Sequence, residues 1–88
     1  MITSFTNHAW EDYLYWKDFD LDTLEKIHEL IKDIKRKPFK GKGKPEPLRG
    51  NLAGYWSRRI TGEHRLVYRV SGKDDTTTII IIQARFHY

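Results

Sequence analysis

Glu46 and His87 are the two side chains of this sequence best placed to move protons within a strongly basic setting. Glu46 lies in KPFKGKGKPEPLRGN, residues 37–51, where it is the single carboxylate among five basic residues. His87 belongs to Arg85-Phe86-His87-Tyr88, which follows four consecutive isoleucines, Ile79 to Ile82. A buried strand feeding an Arg, a His and a Tyr would hold three capable side chains on a rigid support. A carboxylate and an imidazole together can deprotonate one oxygen and protonate another. RNA offers such a pair in the 2′-OH that attacks and the 5′-oxygen that leaves. Arg59 and Arg65 supply guanidinium groups that could bind phosphate and stabilise a crowded dianionic phosphorane.

Taken singly, each of these residues has a plainer alternative. Glu46 could be a surface ion-pair partner of Lys44 and Arg49. Arg59 and Arg65 could be solvent-facing strand charges, and Tyr88 a core-edge aromatic. Arg58 stands open between contact with RNA and pairing with acids of the helices. His8, His28 and His64 are scattered, lack metal-ligand spacing, and read as surface or helix-face residues. The set gains weight only if its members converge in space.

Convergence depends on the elements that carry them. Ile2 to Phe5 is a short β-prone run, and Thr6 is suited to cap a helix over Ala9 to Trp16. Trp10, Tyr13 and Leu14 fall at helical spacing and are expected in the core. Asp20 or Asp22 caps a second helix running to about Arg36. Its apolar stripe is Leu24, Ile27, Ile31 and Ile34, with Leu21 and Leu30 at the margins. Lys35, Arg36 and Lys37 suit its C-terminal dipole, and Pro38 stops it. Residues 37–51 hold all three prolines and show no helical or strand period, so they read as a loop.

From Tyr55 onward the pattern is β. Strands are expected over Trp56 to Ile60, Arg65 to Val70 and Thr76 to Ala84, as an antiparallel meander. A three-residue hairpin loop, Thr61 to Glu63 with Gly62 at a positive φ, places Arg59 opposite Arg65; a four-residue loop would put them on opposite faces, and the three-residue register is favoured for its cleaner hydrophobic partition. In that register Arg59 and Arg65 share a face with Ser57 and Val67. Trp56, Ile60, Leu66 and Tyr68 share the core face, with Arg58 at or near it. The expected class is α+β: a single domain over residues 1–88, with an N-terminal strand and an αα-hairpin packed on a twisted antiparallel sheet.

Eighty-eight residues suit one domain with a modest core. The absence of cysteine excludes disulfides, thiolate metal sites and thiol nucleophiles. No apolar run reaches membrane-spanning length and no signal peptide is recognisable, so a cytoplasmic protein is expected. The net charge of +4 is segregated: residues 1–34 carry −5, residues 35–69 carry +9, and the rest is neutral. A basic block of this kind is an electrostatic footprint for a polyanion.

The sequence resembles the YoeB toxins of the RelE/ParE superfamily, from bacterial toxin–antitoxin systems. The matching stretches are Trp10 to Trp16, residues 37–70 and Arg85-Phe86-His87-Tyr88, so the likeness spans essentially the whole chain. It implies a RelE-like fold and a ribosome-dependent endoribonuclease that cuts mRNA in the A site. It implies Glu46 as general base on the 2′-OH and His87 as general acid. Arg65 would stabilise the transition state with support from Arg59, and Tyr88 would help place the substrate. The products would be a 2′,3′-cyclic phosphate or its opened 3′-phosphate, and a 5′-OH, with no metal or cofactor. Lys40, Lys42, Lys44, Arg49, Arg58 and Arg85 are candidates for contact with mRNA or 16S rRNA of the 70S ribosome. Arg49 stands where the family pattern often carries Lys. Arginine stays charged and cannot shuttle a proton. The resemblance also implies a YefM-like antitoxin and a homodimer. A non-catalytic module that blocks the ribosome or gyrase is the alternative, distinguished by having no need of Glu46 and His87.

Overall fold

The computed structural model describes residues 1–86; His87 and Tyr88 lie outside the described residues. The chain runs β1 (Ile2–Phe5), α1 (Asn7–Phe19), α2 (Leu21–Arg36), β2 (Glu46–Pro47), β3 (Trp56–Arg59), β4 (Arg65–Ser71) and β5 (Thr78–Gln83). Short 3-10 turns lie at Gly50–Leu52 and Asp74–Thr76. The strands form one sheet in the order β1-β5-β4-β3-β2. Strands β3 to β5 pair antiparallel, as expected; β2, in a segment expected to be loop, adds a further antiparallel edge, and β1 joins β5 in parallel, so the sheet is mixed. The chain reaches that parallel position because both helices intervene between β1 and the meander.

Both helices start where side chains can accept orphan amide protons. Thr6 Oγ1 accepts from Ala9 N at 3.2 Å, and Asp20 Oδ1 accepts from Thr23 N at 3.1 Å. Of the two caps considered for α2, Asp20 is used. Helix α1 is three residues longer at its C-terminal end than the apolar spacing suggested, and begins two residues earlier. Its buried stripe is Ala9, Asp12 and Trp16. Trp10, expected in the core, is 47% exposed and stacks on Tyr13 at 5.0 Å. The correction has a physical cause: aromatics occur nearly all round α1, and the buried stripe includes an aspartate that no hydrophobic count would select. Helix α2 buries Leu24, Ile27, Leu30 and Ile34, while Ile31 is half-buried and Leu21 exposed.

The helices cover one face of the sheet. Trp16, Leu24, Ile27, Leu30 and Ile34 pack with Ile60, Leu66, Tyr68, Ile79 and Ile81 in one apolar cluster. Leu48, Ser57 and Val67 are also buried but stand outside that cluster. The register of β3 on β4 is the expected one, with Arg59 opposite Arg65 and Ser57 opposite Val67, but Gly62, expected at a positive φ, does not adopt one.

A bulge interrupts β4 and β5. Tyr68 pairs with Ile81, but Val67 pairs with Gln83, leaving Ile82 as an extra residue on β5. Because side chains alternate along a strand, one extra residue flips the remainder to the opposite face. Ile79 and Ile81 therefore point at the helices, while Gln83 joins Val67 on the face away from them.

Candidate functional site

The face away from the helices gathers most of the described residues that could do chemistry. Strand pairing aligns Glu46, Ser57, Val67 and Gln83 in one lateral row across β2, β3, β4 and β5. One same-face step along β3 and β4 comes the pair Arg59 and Arg65. From strand spacings of about 4.8 Å and a two-residue step of about 6.7 Å, the Cα atoms of Glu46 and Arg65 are roughly 12 Å apart. Both are long side chains, so their tips can address one phosphodiester. Two arginines directly opposite each other repel, which disfavours the sheet unless an anion is there to be bound.

Glu46 is exposed and lines a surface hollow of about 490 Å³ with Pro47, Leu48 and Arg49. It lies on strand β2, not in irregular loop as its sequence suggested. Pro45 and Pro47 hold the backbone extended, and β2 is the edge of the sheet, where a missing proline N–H costs no ladder bond. Upstream of it, the Gly43 carbonyl accepts from Arg59 N at 2.7 Å, so the segment from Gly43 to Pro47 runs alongside β3. Lys44, two residues before Glu46, adopts φ 50°, a left-handed conformation uncommon outside glycine.

Arg59 is exposed, whereas Arg65 is half-buried. Arg65 Nη1 donates to the carbonyls of Thr61, Gly62 and His64 at 2.9, 3.2 and 3.1 Å. The hairpin turn thus holds one end of its guanidinium. Lys40, Lys42, Lys44 and Arg49 are exposed; Arg49 shares the hollow with Glu46, whereas Lys42 lines hollows beside α2. Arg69, not selected from the sequence, is exposed on the same face as Arg65 by strand alternation and lies over the Tyr55 ring at 5.9 Å.

Arg58 requires a correction. Counted among the RNA-contacting cations, it is 0% exposed. Its five N–H donors are all used inside the protein: Nε to Tyr68 Oη, Nη1 to Asp33 Oδ2 and Lys42 O, and Nη2 to Lys37 O and Lys40 O, at 2.6 to 3.1 Å. Its alternative role, pairing with an acid of the helices, is the one realised. Asp33 also accepts from Lys42 N at 2.9 Å, and Tyr68 Oη donates to Pro38 O at 2.7 Å. This buried network fastens residues 37–42 to the body and so sets where Lys44 and Glu46 emerge. The Lys42 amide, then the Arg58 guanidinium, hold the Asp33 carboxyl below its usual range; burial pushes the Tyr68 hydroxyl above its own. Gly41, at φ 112°, lies so close that a Cβ would overlap the Asp33 carboxylate.

A second set of contacts fixes the chain after β5. Asp12 Oδ2 accepts from Ala84 N at 3.0 Å and Trp16 Nε1 donates to Ala84 O at 2.7 Å. One turn of α1 thereby satisfies both backbone groups that a neighbouring strand would otherwise pair. Arg85 lies with its guanidinium 3.4 Å from the Tyr15 ring centroid and 4.4 Å from that of Phe86. Its Nε is buried without a hydrogen-bond partner among the described residues. The expectations for His87 and Tyr88 lie outside the described residues. Among the described residues, no group of three or more His, Cys, Asp or Glu side chains could hold a metal ion.

A separate cleft of about 430 Å³ lies between α2, the basic loop and the hairpin turn, and includes Lys26, Leu30, Lys44 and Ile60. It is lined by Arg59 but by neither Glu46 nor Arg65.

Comparison with known proteins bears on this arrangement. The model of the YoeB-like toxins of bacterial type II toxin–antitoxin systems matches residues 5–88. The toxin YoeB of Escherichia coli K12 is 57% identical over 83 residues, covering 94% of each chain. A solved YoeB/ParE toxin from Agrobacterium tumefaciens superposes with a TM-score of 0.96 at 55% identity, covering 100% of both chains. YoeB of Staphylococcus aureus has been solved as a dimer, TM-score 0.88 at 45% identity, and as a heterotetrameric complex with YefM, TM-score 0.87 at 46% identity. Each covers 100% of this chain and 98% of the other.

Proposed function

This chain belongs to the YoeB-like toxins of bacterial type II toxin–antitoxin systems, and from that membership we propose that it is a ribosome-dependent endoribonuclease that cleaves mRNA in the A site. Glu46 takes the proton from a 2′-OH. The freed O2′ attacks the adjacent phosphorus, the P–O5′ bond breaks, and His87 gives its proton to the departing O5′. The products are a 2′,3′-cyclic phosphate, which can open to a 3′-phosphate, and a 5′-OH. Arg65, supported by Arg59, stabilises the charge gathered on the phosphorane oxygens. Tyr88 helps place the substrate. The reaction uses no metal or cofactor.

The observation that carries the proposal is the shared face of Glu46, Arg59 and Arg65. It offers a base and two anion-binding cations to one phosphodiester. Lys40, Lys42, Lys44, Arg49 and Arg85 are the cations we assign to mRNA or 16S rRNA, a sequence-independent role for a basic surface. The ribosome holds the mRNA in position, which supplies the orientation that so small a site lacks. Arg49 binds phosphate without proton transfer.

The S. aureus complexes support a YefM-like antitoxin and a homodimer as partners. No helix among the described residues is long and apolar enough to cross a membrane, and we place the protein in the bacterial cytoplasm, where its ribosomal target lies. The test is primer extension on an mRNA in a reconstituted translation reaction. Glu46→Ala and His87→Ala are each expected to slow cleavage by on the order of a hundredfold or more. Arg65→Ala is expected to raise the barrier by roughly 2–4 kcal/mol. Stalling without cuts, equal in wild type and His87→Ala, would instead identify a non-catalytic blocker.

A further inference from the structure

The geometry points to His64 as a positioning residue for the segment that carries the proposed general acid. His64 is half-buried immediately before β4, and its Nδ1 accepts a hydrogen bond from the Phe86 backbone N–H at 2.8 Å. That bond needs a bare lone pair on Nδ1, so the neutral ring carries its proton on Nε2. The imidazole is itself held. It meets the Trp16 ring edge-on at 4.8 Å and the Phe86 ring at 5.6 Å. Its own backbone N–H donates to Thr61 Oγ1 at 3.2 Å.

Phe86 is where such a hold is needed. Its φ is 64°, a left-handed conformation that is unfavourable for a non-glycine residue. Backbone strain of this kind persists where the surroundings over-determine it, and it clusters at functional sites. Around Phe86 the determinants are His64 Nδ1 on the amide, with Arg65 N at 3.0 Å and Gln83 Nε2 at 3.3 Å on the carbonyl. The carbonyl is held twice, whereas its N–H has a single partner among the described residues. His64 is therefore the contact whose loss frees the Phe86 amide. His87 is bonded directly to Phe86, so the orientation of this peptide sets the starting point of the His87 side chain. A misplacement of about 1 Å at a reacting group can cost on the order of a hundredfold in rate.

This inference rests on the proposed role of His87 as general acid, and the experiment separates the two. Cleavage on programmed ribosomes is measured for wild type, His87→Ala, His64→Ala, His64→Asn and His64→Gln. Asn carries an acceptor oxygen at the position of Nδ1, whereas the Gln acceptor reaches only the position of Nε2. The expected result is a kcat about ten- to a hundredfold lower for His64→Ala and His64→Gln, with KM little changed. His64→Asn should recover to within a few-fold of wild type. Amide exchange gives a reading independent of activity: Phe86 N–H should exchange at least tenfold faster in the Ala and Gln variants and stay protected in Asn. Full cleavage by His87→Ala would refute the role of His87. Loss of cleavage in His87→Ala with normal kcat in His64→Ala would refute the role of His64 alone. Equal impairment of Asn and Gln would also overturn it, because packing against Trp16 would then be the whole effect.

Discussion

The buried network under the basic loop can be tested by removing one oxygen atom. Tyr68→Phe keeps the ring, which is fully buried in the apolar cluster, and deletes only the hydroxyl. That hydroxyl donates to Pro38 O at 2.7 Å and accepts from Arg58 Nε at 3.1 Å. A neutral hydrogen bond contributes about 1 kcal/mol net, and one to a charged group about 1.5–3 kcal/mol. Without the oxygen, the buried Arg58 Nε–H and the part-buried Pro38 carbonyl both lose this partner. The expected destabilisation is therefore about 3 kcal/mol. For a domain of this size that corresponds to a fall in Tm of roughly 12 °C or more. Urea unfolding should show a lower midpoint with an unchanged slope. Tyr13→Phe serves as the comparison, since its hydroxyl meets His28 Nε2 at 2.8 Å in a half-buried setting and should contribute about 1 kcal/mol or less. A cost below about 0.5 kcal/mol for Tyr68→Phe would refute the argument that this network holds the loop.

Acid should act on the same network. The folded-state pKa of Asp33 is lowered, so its contribution is present above the ordinary carboxylate range and is lost as pH falls through the folded value, from about pH 4 downward. Asp33→Asn should be less stable near neutrality and flatter with pH in urea midpoints taken from pH 2.5 to 7. A slope matching wild type would exclude Asp33 as a source of acid sensitivity; Asp20, lowered by its bonds to Thr23, leaves a smaller slope of the same sign. Gly41→Ala should destabilise more than Gly50→Ala in thermal unfolding. Both sites have positive φ, worth about 1–2 kcal/mol each, but only Gly41 faces the Asp33 carboxylate while Gly50 faces open space. Equal losses would mean that the carboxylate moves aside freely.

The hairpin register could be read from the sequence because, of the two loop lengths open to it, the three-residue one gives the cleaner partition of Leu66 and Tyr68 from Arg65 and Val67; Gly62 reaches that turn without the positive φ expected of it. The caps were legible for a similar reason, since Thr6 and Asp20 precede clear helical periods. Three features were not. The bulge at Ile82 left no trace in Ile79 to Ile82, because a run of one residue type has no alternation to break. Arg58 was ambiguous because its burial depends on Asp33 and on carbonyls 16 to 21 residues away, which no local pattern encodes. Trp16 and Asp12 gave way to Trp10 in the sequence reading because their partner, the Ala84 backbone, is nearly a chain length distant. The candidate residues were thus identifiable by type, whereas the buried groups that aim them became visible only in three dimensions.

The account turns on attack by a ribose hydroxyl, so the most direct test removes that hydroxyl from the substrate. An mRNA with a single 2′-deoxynucleotide at the mapped cleavage position is placed in the A site of programmed ribosomes and treated with the protein. The account predicts no cleavage at that position. It also predicts that the all-ribose message yields a 2′,3′-cyclic phosphate or 3′-phosphate and a 5′-OH by mass spectrometry. Undiminished cutting of the deoxy-substituted message, or products bearing a 5′-phosphate, would contradict it.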